Sequence, residues 1–305
     1  MGNVPRCIVC EREGPFRYVF GGRGYGGTMV SCPRCGLVFQ SPQPDEDVLA
    51  RSYYHDAEFS EMLMGPLRCT TVERAREKLP LLAGVSTLRP GERALDVGCS
   101  SGAWLEVAQE LGMPAAGVEI GERTSQDARA RGLDVRTGTL EECFPDGSEE
   151  RFELITFWDV LEHLSDPRRE LARARRLLAP GGILAATCPN VAGLYPQATY
   201  RLLARPAGAW EYPELPVHLY DFSPATLRRL LERSGFAVAG LRTYRTPFRF
   251  YRQTSLSRER LGGGARALAL RLAFEAMRAV VYPIARRLDR ENSLFVAARV
   301  GESRR

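Results

Sequence analysis

Two CxxC pairs open the chain, Cys7 with Cys10 and Cys32 with Cys35. Each pair can turn two thiolates toward one ion, and four sulfurs at this spacing suit tetrahedral Zn²⁺. Gly36 follows the last cysteine, where a knuckle needs a tight backbone turn, and a Gly-rich segment from Gly21 to Gly27 separates the pairs like a hairpin. A closed set of four cysteines usually holds a fold together and does no chemistry, so the expectation is a structural metal. A second constellation lies further on. Arg93 to Gly98 reads as a short buried strand ending in Asp96 and a glycine turn, Ala103 to Gly112 reads as a helix, and Ala115 to Glu119 reads as a second strand with an acid at its end. Open parallel sheets built from such βα units bind ligands beyond the carboxyl ends of their strands, and an acid about 20 residues after the glycine turn suits a ribose diol.

The elements that must position these groups follow in a regular order. Phe152 to Trp158 reads as a fourth strand, followed by Asp159-Val160-Leu161-Glu162-His163. Ala179-Pro180-Gly181-Gly182 reads as a turn and Ile183 to Thr187 as a fifth strand, then His218 to Ser223 precedes a helix from Pro224 to Ser234. Asn292 to Val300 reads as the closing strand. The expected fold is therefore α/β, a Rossmann-like seven-stranded sheet with helices on both faces plus a small N-terminal zinc ribbon. The expected division is a ribbon over 1–41, a helical linker or lid over 42–88 containing Tyr53, Tyr54 and His55, and the sheet domain over 89–300 with an insertion at 245–290.

These ordered motifs resemble the class I S-adenosylmethionine-dependent methyltransferases, in particular the small-molecule and glycan enzymes with a Cys-rich N-terminal extension. The resemblance covers nearly the whole chain. It implies S-adenosylmethionine as cofactor, with Asp96, Gly98, Ser100 and Gly102 in the first loop, Glu119 at the ribose, Thr139 and Leu140 at the adenine, and Trp158 and Asp159 beside the sulfonium. Ser100 stands where the family's central glycine is usual; its hydroxyl can serve the cofactor carboxylate if the backbone angle allows. A nicotinamide-type reading is disfavoured because the Gly-x-Gly-x-x-Gly loop is missing.

Methyl transfer needs an aligned nucleophile and, for a hydroxyl or carbon acid, a base. Of the chain's three histidines, His163 and His218 fall at segments that the resemblance places at the active-site edge, and they are the candidate catalytic bases. Each has a plainer role open to it, His163 capping a helix and His218 orienting a loop. Glu162 and Asp159 are expected to position groups, Tyr195, Tyr212 and Tyr220 to line the acceptor pocket, and Cys99 and Cys188 to pack. The expected reaction is O-methylation of a small-molecule or glycan acceptor in a biosynthetic step, with sugar C-methylation, or an RNA-directed or non-catalytic role, as alternatives.

Composition narrows the rest. The net charge of +5 would suit an anionic partner, but Lys78 is the only lysine among 42 basic residues, which reads as a codon preference for arginine. The ribbon's hairpin carries only Arg17 and Arg23 beside Phe16, Tyr18, Phe20 and Tyr25, a weak basic surface, so nucleic acid is not expected and those rings are expected to pack. No membrane-spanning run or signal peptide is seen, which implies a cytoplasmic protein. Between 245 and 290, Leu270, Phe274, Met277, Val281, Ile284 and Leu288 recur at helical spacing, with Arg271, Arg278 and Arg286 on another side and a kink or break expected at Pro283. Packing on the domain or a homodimer seam is the first expectation for this stripe, and peripheral membrane contact through 264–288 the second.

Overall fold

The computed structural model describes residues 6–22, 27–45, 68–85, 89–210, 212, 214–246 and 264–301. The expected 42–88 helical segment is described only in part, and Tyr53, Tyr54, His55, Arg23 and Tyr25 lie outside the described residues. The strands, in chain order, are β1 (Arg17–Gly22), β2 (Gly27–Ser31), β3 (Val38–Gln40), β4 (Ala94–Val97), β5 (Ala115–Glu119), β6 (Asp134–Thr137), β7 (Phe152–Trp158), β8 (Leu178–Pro189), β9 (Tyr220–Asp221), β10 (Phe236–Tyr244) and β11 (Ser293–Val300). The main helices are α1 (Arg68–Arg76), α2 (Ala103–Glu110), α3 (Glu122–Ala130), α4 (Pro167–Leu177), α5 (Leu194–Thr199), α6 (Pro224–Arg233) and α7 (Ala265–Arg287). The chain divides into two compact units, one formed by 1–49, 188–227 and 242–294, the other by 50–187, 228–241 and 295–305.

The second unit carries most of a seven-stranded sheet in the order β10-β11-β8-β7-β4-β5-β6, flanked by helices on both faces. The pairings β4 with β5, β4 with β7, β5 with β6 and β7 with β8 are all parallel. β4 and β5 are buried along their whole length, as strands covered on both faces must be. Local chemistry fixes the helix starts. Asp166 accepts from the Arg169 amide at 3.1 Å at the head of α4, whose Pro167 occupies the first turn where no amide partner is needed. Leu171, Ala174 and Leu177 then recur on the buried side of α4. The expected bounds of the β5 and β7 strands coincide with those observed. The turn at Ala179–Gly182 instead lies inside β8, where the register on β7 jumps from Phe152↔Leu178 to Leu154↔Ile183. The four residues loop out as an irregularity within one strand, and the pairing resumes beyond them.

The first unit centres on a four-stranded sheet, β1-β2-β3-β9, whose first three strands come from the cysteine-bearing segment. β9 pairs antiparallel with β3 through Val38↔Asp221 and Phe39↔Tyr220. Phe20, Met29 and Val38 from the ribbon share one apolar cluster with Val191, Ala204, Trp210 and Leu215. Phe16 meets Phe39 edge-on at 4.8 Å and Phe20 meets Trp210 at 5.5 Å, so these rings pack as expected. Tyr18 does not: its side chain is exposed, with the hydroxyl donating to the Gly21 carbonyl at 3.1 Å.

α7 runs unbroken through Pro283 to Arg287, so the expected break is absent. Pro283 is exposed, and the backbone hydrogen bond it removes therefore falls on the solvent side of the helix. Two further expectations for this helix are corrected. Phe274 is buried, but Ile284 and Leu288 are exposed: the row keeps one direction along the helix, while the packed arc, marked by Ala267, Phe274, Arg278 and Ala285, is centred to one side of it and Leu288 lies past the last turn. Arg278 is buried rather than outward, bonded to Glu275 at 2.6 Å and lying 5.8 Å from the Tyr195 ring centre. Among the described residues no helix is long and apolar enough to cross a membrane.

Candidate functional site

In the second unit, the carboxyl ends of β4, β5, β7 and β8 gather the predicted cofactor residues and several groups that sequence reasoning did not reach. β4 ends in the loop Gly98 to Gly102, whose backbone takes positive φ at Gly98 (71°), Ser100 (48°) and Gly102 (75°). A Cβ on Gly98 would meet the Val160 side chain at 2.7 Å, and one on Gly102 would strike the Leu133 side chain, so both positions need glycine for space as well as angle. Ser100 holds the left-handed region without that freedom, at a cost of about 1–2 kcal/mol. Its amide is used there, donating to Glu119 Oε2 at 2.9 Å.

Glu119 closes the loop from the neighbouring strand. Its Oε1 accepts from the Gly121 amide at 2.7 Å, leaving further lone pairs on both oxygens. Burial raises its carboxyl above the usual range, moderated by the amides of Gly121, Ser100 and Ile120. Asp96 sits deeper. The Thr156 hydroxyl on β7 donates to Asp96 Oδ1 at 2.7 Å, and burial pushes this carboxyl up to about 7 while Thr156 and Lys78 oppose the rise and Glu119 adds to it. Two buried acids that resist ionisation side by side suit a ligand carrying positive charge, which would lower both.

Beyond β7 the chain enters a second cluster. Asp159 has φ 57° and its amide donates to the Thr187 carbonyl and hydroxyl, each at 3.1 Å. Its carboxylate takes Arg74 at 2.7 Å, Lys78 at 3.2 Å and the Thr187 hydroxyl at 3.0 Å. Burial alone would raise Asp159, but the Lys78 and Arg74 charges with the Thr187 hydroxyl hold it well below the usual carboxylate range. α1 supplies Arg74 and packs on α2, with Arg76 bonded to Glu110 at 2.7 Å. Lys78, in the turn after α1, is buried, also donates to the Thr187 hydroxyl at 3.1 Å, and lies 5.4 Å from the centre of the Trp158 ring. Trp158 meets Trp104 edge-on at 5.2 Å, and neither buried indole N–H has a partner among the described residues. An unpaired buried donor is free to meet a ligand's acceptor.

The remaining predicted residues are placed as follows. Thr139 caps the short helix Leu140–Cys143 in a reciprocal box with Glu142, and Leu140 is buried beneath it. His163 is half-buried in the turn after β7, its amide bonded to the Val160 carbonyl at 2.9 Å, and Glu162 beside it is buried. His163 and Glu162 belong to the second unit and His218 to the first. His218 is buried in its own unit, with Nε2 3.5 Å from Glu214 Oε2. Tyr195, Tyr212 and Tyr220 also belong to the first unit: Tyr195 lies 4.9 Å from Tyr282, Tyr212 stacks on Trp210 at 5.6 Å, and Tyr220 accepts from Gln43 at 2.9 Å. Cys99 and Cys188 are buried as expected, and burial raises the Cys99 thiol well above its ordinary value, which suits packing and not nucleophilic attack.

The four N-terminal cysteines form one cluster in the first unit, every sulfur within 4.8 Å of the others. Cys7 and Cys35 Sγ are 3.5 Å apart, as are Cys10 and Cys32. Four sulfurs at about 2.3 Å from a tetrahedral Zn²⁺ would be separated by about 3.8 Å, so the donor set fits. Burial pushes the Cys7 thiol up and the Cys35 thiol to about 11, so those two need a cation to hold them as thiolates, whereas at Cys32 burial is outweighed by the amides of Cys35 and Arg34 and the thiol is lowered.

Sequence reasoning missed Arg74, Lys78, Thr156, Thr187 and Asp221. A signal existed for Lys78, as the one lysine in an arginine-rich chain. Asp221 lies in the segment singled out for His218; it is buried, and burial with the Glu214 charge raises its carboxyl to about 8.

Comparison with known proteins bears on the family and the fold. The family described as "Methyltransferase domain" matches residues 70–240. A ubiquinone biosynthesis O-methyltransferase of Hahella chejuensis is 32% identical over 146 residues, covering 46% of this chain and 56% of that protein. A probable S-adenosylmethionine-dependent methyltransferase of Mycolicibacterium smegmatis is 29% identical over 151 residues, covering 48% of this chain and 53% of that one. The chain thus spans little more than half the length of these two relatives. Among solved structures, magnesium protoporphyrin IX methyltransferase of Synechocystis with bound S-adenosylhomocysteine aligns at a TM-score of 0.53 and 15% identity, over 84% of this chain and all of that one, a likeness of fold. With the match extending over more than half of its residues, the chain belongs to the methyltransferase-domain family, the class I S-adenosylmethionine-dependent enzymes.

Proposed function

We propose that the protein transfers a methyl group from S-adenosylmethionine to an oxygen of a small-molecule or glycan acceptor, and that Cys7, Cys10, Cys32 and Cys35 hold a structural zinc. The observation that carries the reading is the paired, ionisation-resistant acids Asp96 and Glu119 at adjoining strand ends beside a loop of three positive-φ residues. Glu119 has lone pairs left for the ribose hydroxyls, and the same acids offset positive charge on the cofactor. Trp158 contributes an aromatic wall, and Asp159, held ionised and in place by Lys78 and Arg74, fixes the strand end beside which the family's sulfonium lies. When bound, the cofactor supplies an electrophilic methyl group on a sulfonium. This chain's part is to align that group and to take a proton from the acceptor, for which His163 and His218 are the candidate bases. The name of the Hahella relative favours oxygen as the acceptor atom.

The test is calorimetric titration with S-adenosylmethionine and, separately, NADH. Micromolar binding of the first alone, reduced at least tenfold by Glu119→Ala, is expected; equal affinity in the variant would remove Glu119 from the site. Single-turnover methylation of candidate acceptors by His163→Ala and His218→Ala then assigns the base, as the variant that loses the rate of the chemical step together with the acidic limb of its pH profile.

A further inference from the structure

The solvent side of α7 is used neither by the fold nor by the methyl-transfer reading. Ala267, Phe274, Arg278 and Ala285 are its buried positions. At 100° per residue they fall on one narrow arc. Opposite them stand Leu268, Leu272, Val280 and Ile284, exposed by 58%, 62%, 64% and 43%, with Ala276 between. Between Ala267 and Ala285 no charge interrupts this outward face; Glu275 lies at its margin, bonded to the buried Arg278. Its two ends carry cations, Arg266 at one and Arg286 and Arg287 at the other, on a helix about 34 Å long whose one acid is Glu275. The surrounding sequence is as one-sided: 245–290 contains eleven arginines against two Glu and one Asp, a surplus larger than the +5 of the whole chain.

We infer that this face docks on a bilayer of anionic lipid, with the aliphatic side chains at the level of the acyl chains and the terminal arginines on headgroup phosphates. An apolar face flanked by basic residues is the arrangement an interfacial helix requires, and it lies in the plane of the surface without crossing it. The charge pattern selects lipid over a second copy of the chain. Pairing two such helices antiparallel sets Arg266 against Arg286 and Arg287, and pairing them in parallel sets each cluster against itself, so both arrangements repel at both ends. Phosphate headgroups complement every one of these positions.

The experiment is co-sedimentation of the full chain with vesicles of phosphatidylcholine alone and of equal parts phosphatidylcholine and phosphatidylglycerol, beside light scattering of the protein without lipid. Binding to the anionic vesicles only, weakened by salt, is expected. Leu272→Asp with Val280→Asp should reduce it at least tenfold; both sites are exposed, and unchanged near-ultraviolet circular dichroism verifies folding. Arg286→Gln with Arg287→Gln should weaken it by roughly fivefold per arginine while leaving the apolar face intact. Failure of the wild-type chain to sediment, or sedimentation that survives both variants, overturns the inference. So does a wild-type dimer that Leu272→Asp with Val280→Asp dissociates without any vesicle binding, which would assign the face to a second copy. None of these readouts uses S-adenosylmethionine, so their failure leaves the methyl-transfer reading untouched.

Discussion

Asp96→Asn offers a measurement whose size follows from the structure. The Asp96 carboxyl is buried and raised from 3.8 to about 7, so the folded protein holds a proton that the unfolded chain releases some three pH units earlier. A group raised in this way lends its full stability below its unfolded pKa and loses it as pH climbs through the folded value. Three units correspond to about 4 kcal/mol, of which about 2.5 kcal/mol falls between pH 5 and pH 8. Asparagine removes the charge and keeps an oxygen for the Thr156 hydroxyl, while its amide N–H₂ adds a constant term, a cost of about 1–3 kcal/mol if left unpaired. The constant cancels in the comparison. Urea unfolding of wild type and variant at pH 5 and pH 8 should show the variant gaining about 2.5 kcal/mol relative to wild type at the higher pH. A difference that does not change with pH would refute the claim that Asp96 resists ionisation, and with it the argument for a cationic ligand beside it.

Further outcomes follow from the site and the ribbon. Lys78→Met strips one cation from Asp159 but leaves Arg74 at 2.7 Å, so unfolding should show a loss of about 2 kcal/mol rather than collapse. Lys78→Arg should not recover that stability, since a planar guanidinium cannot replace a compact ammonium between Asp159 and Thr187; full recovery would reduce the lysine to a plain charge. Purified protein should contain one equivalent of zinc by elemental analysis, and Cys32→Ser should lower its zinc affinity and the melting temperature of the first unit; wild-type protein without metal would refute the ribbon. Ser100→Gly should raise stability by about 1 kcal/mol through relief of the left-handed backbone, measured by urea unfolding, with the Glu119 contact retained.

What the sequence determined by itself was local. The cysteine spacing, the acids at strand ends and the bounds of β5 and β7 were legible because each rests on a few neighbouring residues: two thiolates on one knuckle, and an apolar run closed by an acid. The glycine turn at 179–182 misled for the same reason, since turn chemistry shows where the chain loops out but not that strand pairing resumes on the same neighbour beyond it. Tertiary structure decided everything that depends on a partner distant along the chain. Asp96 meets Thr156, Asp159 meets Lys78 and Thr187, and the ribbon's last strand finds its partner at Tyr220–Asp221, contacts between segments whose sequences carry no mark of one another. α7 shows the limit most plainly. It is apolar on nearly every side, so periodicity could not tell its packed face from its open one, nor that Arg278 would turn inward. Only the packing of Phe274 and Ala285 fixed the rotation of the helix, and that rotation left Leu272 and Val280 facing outward.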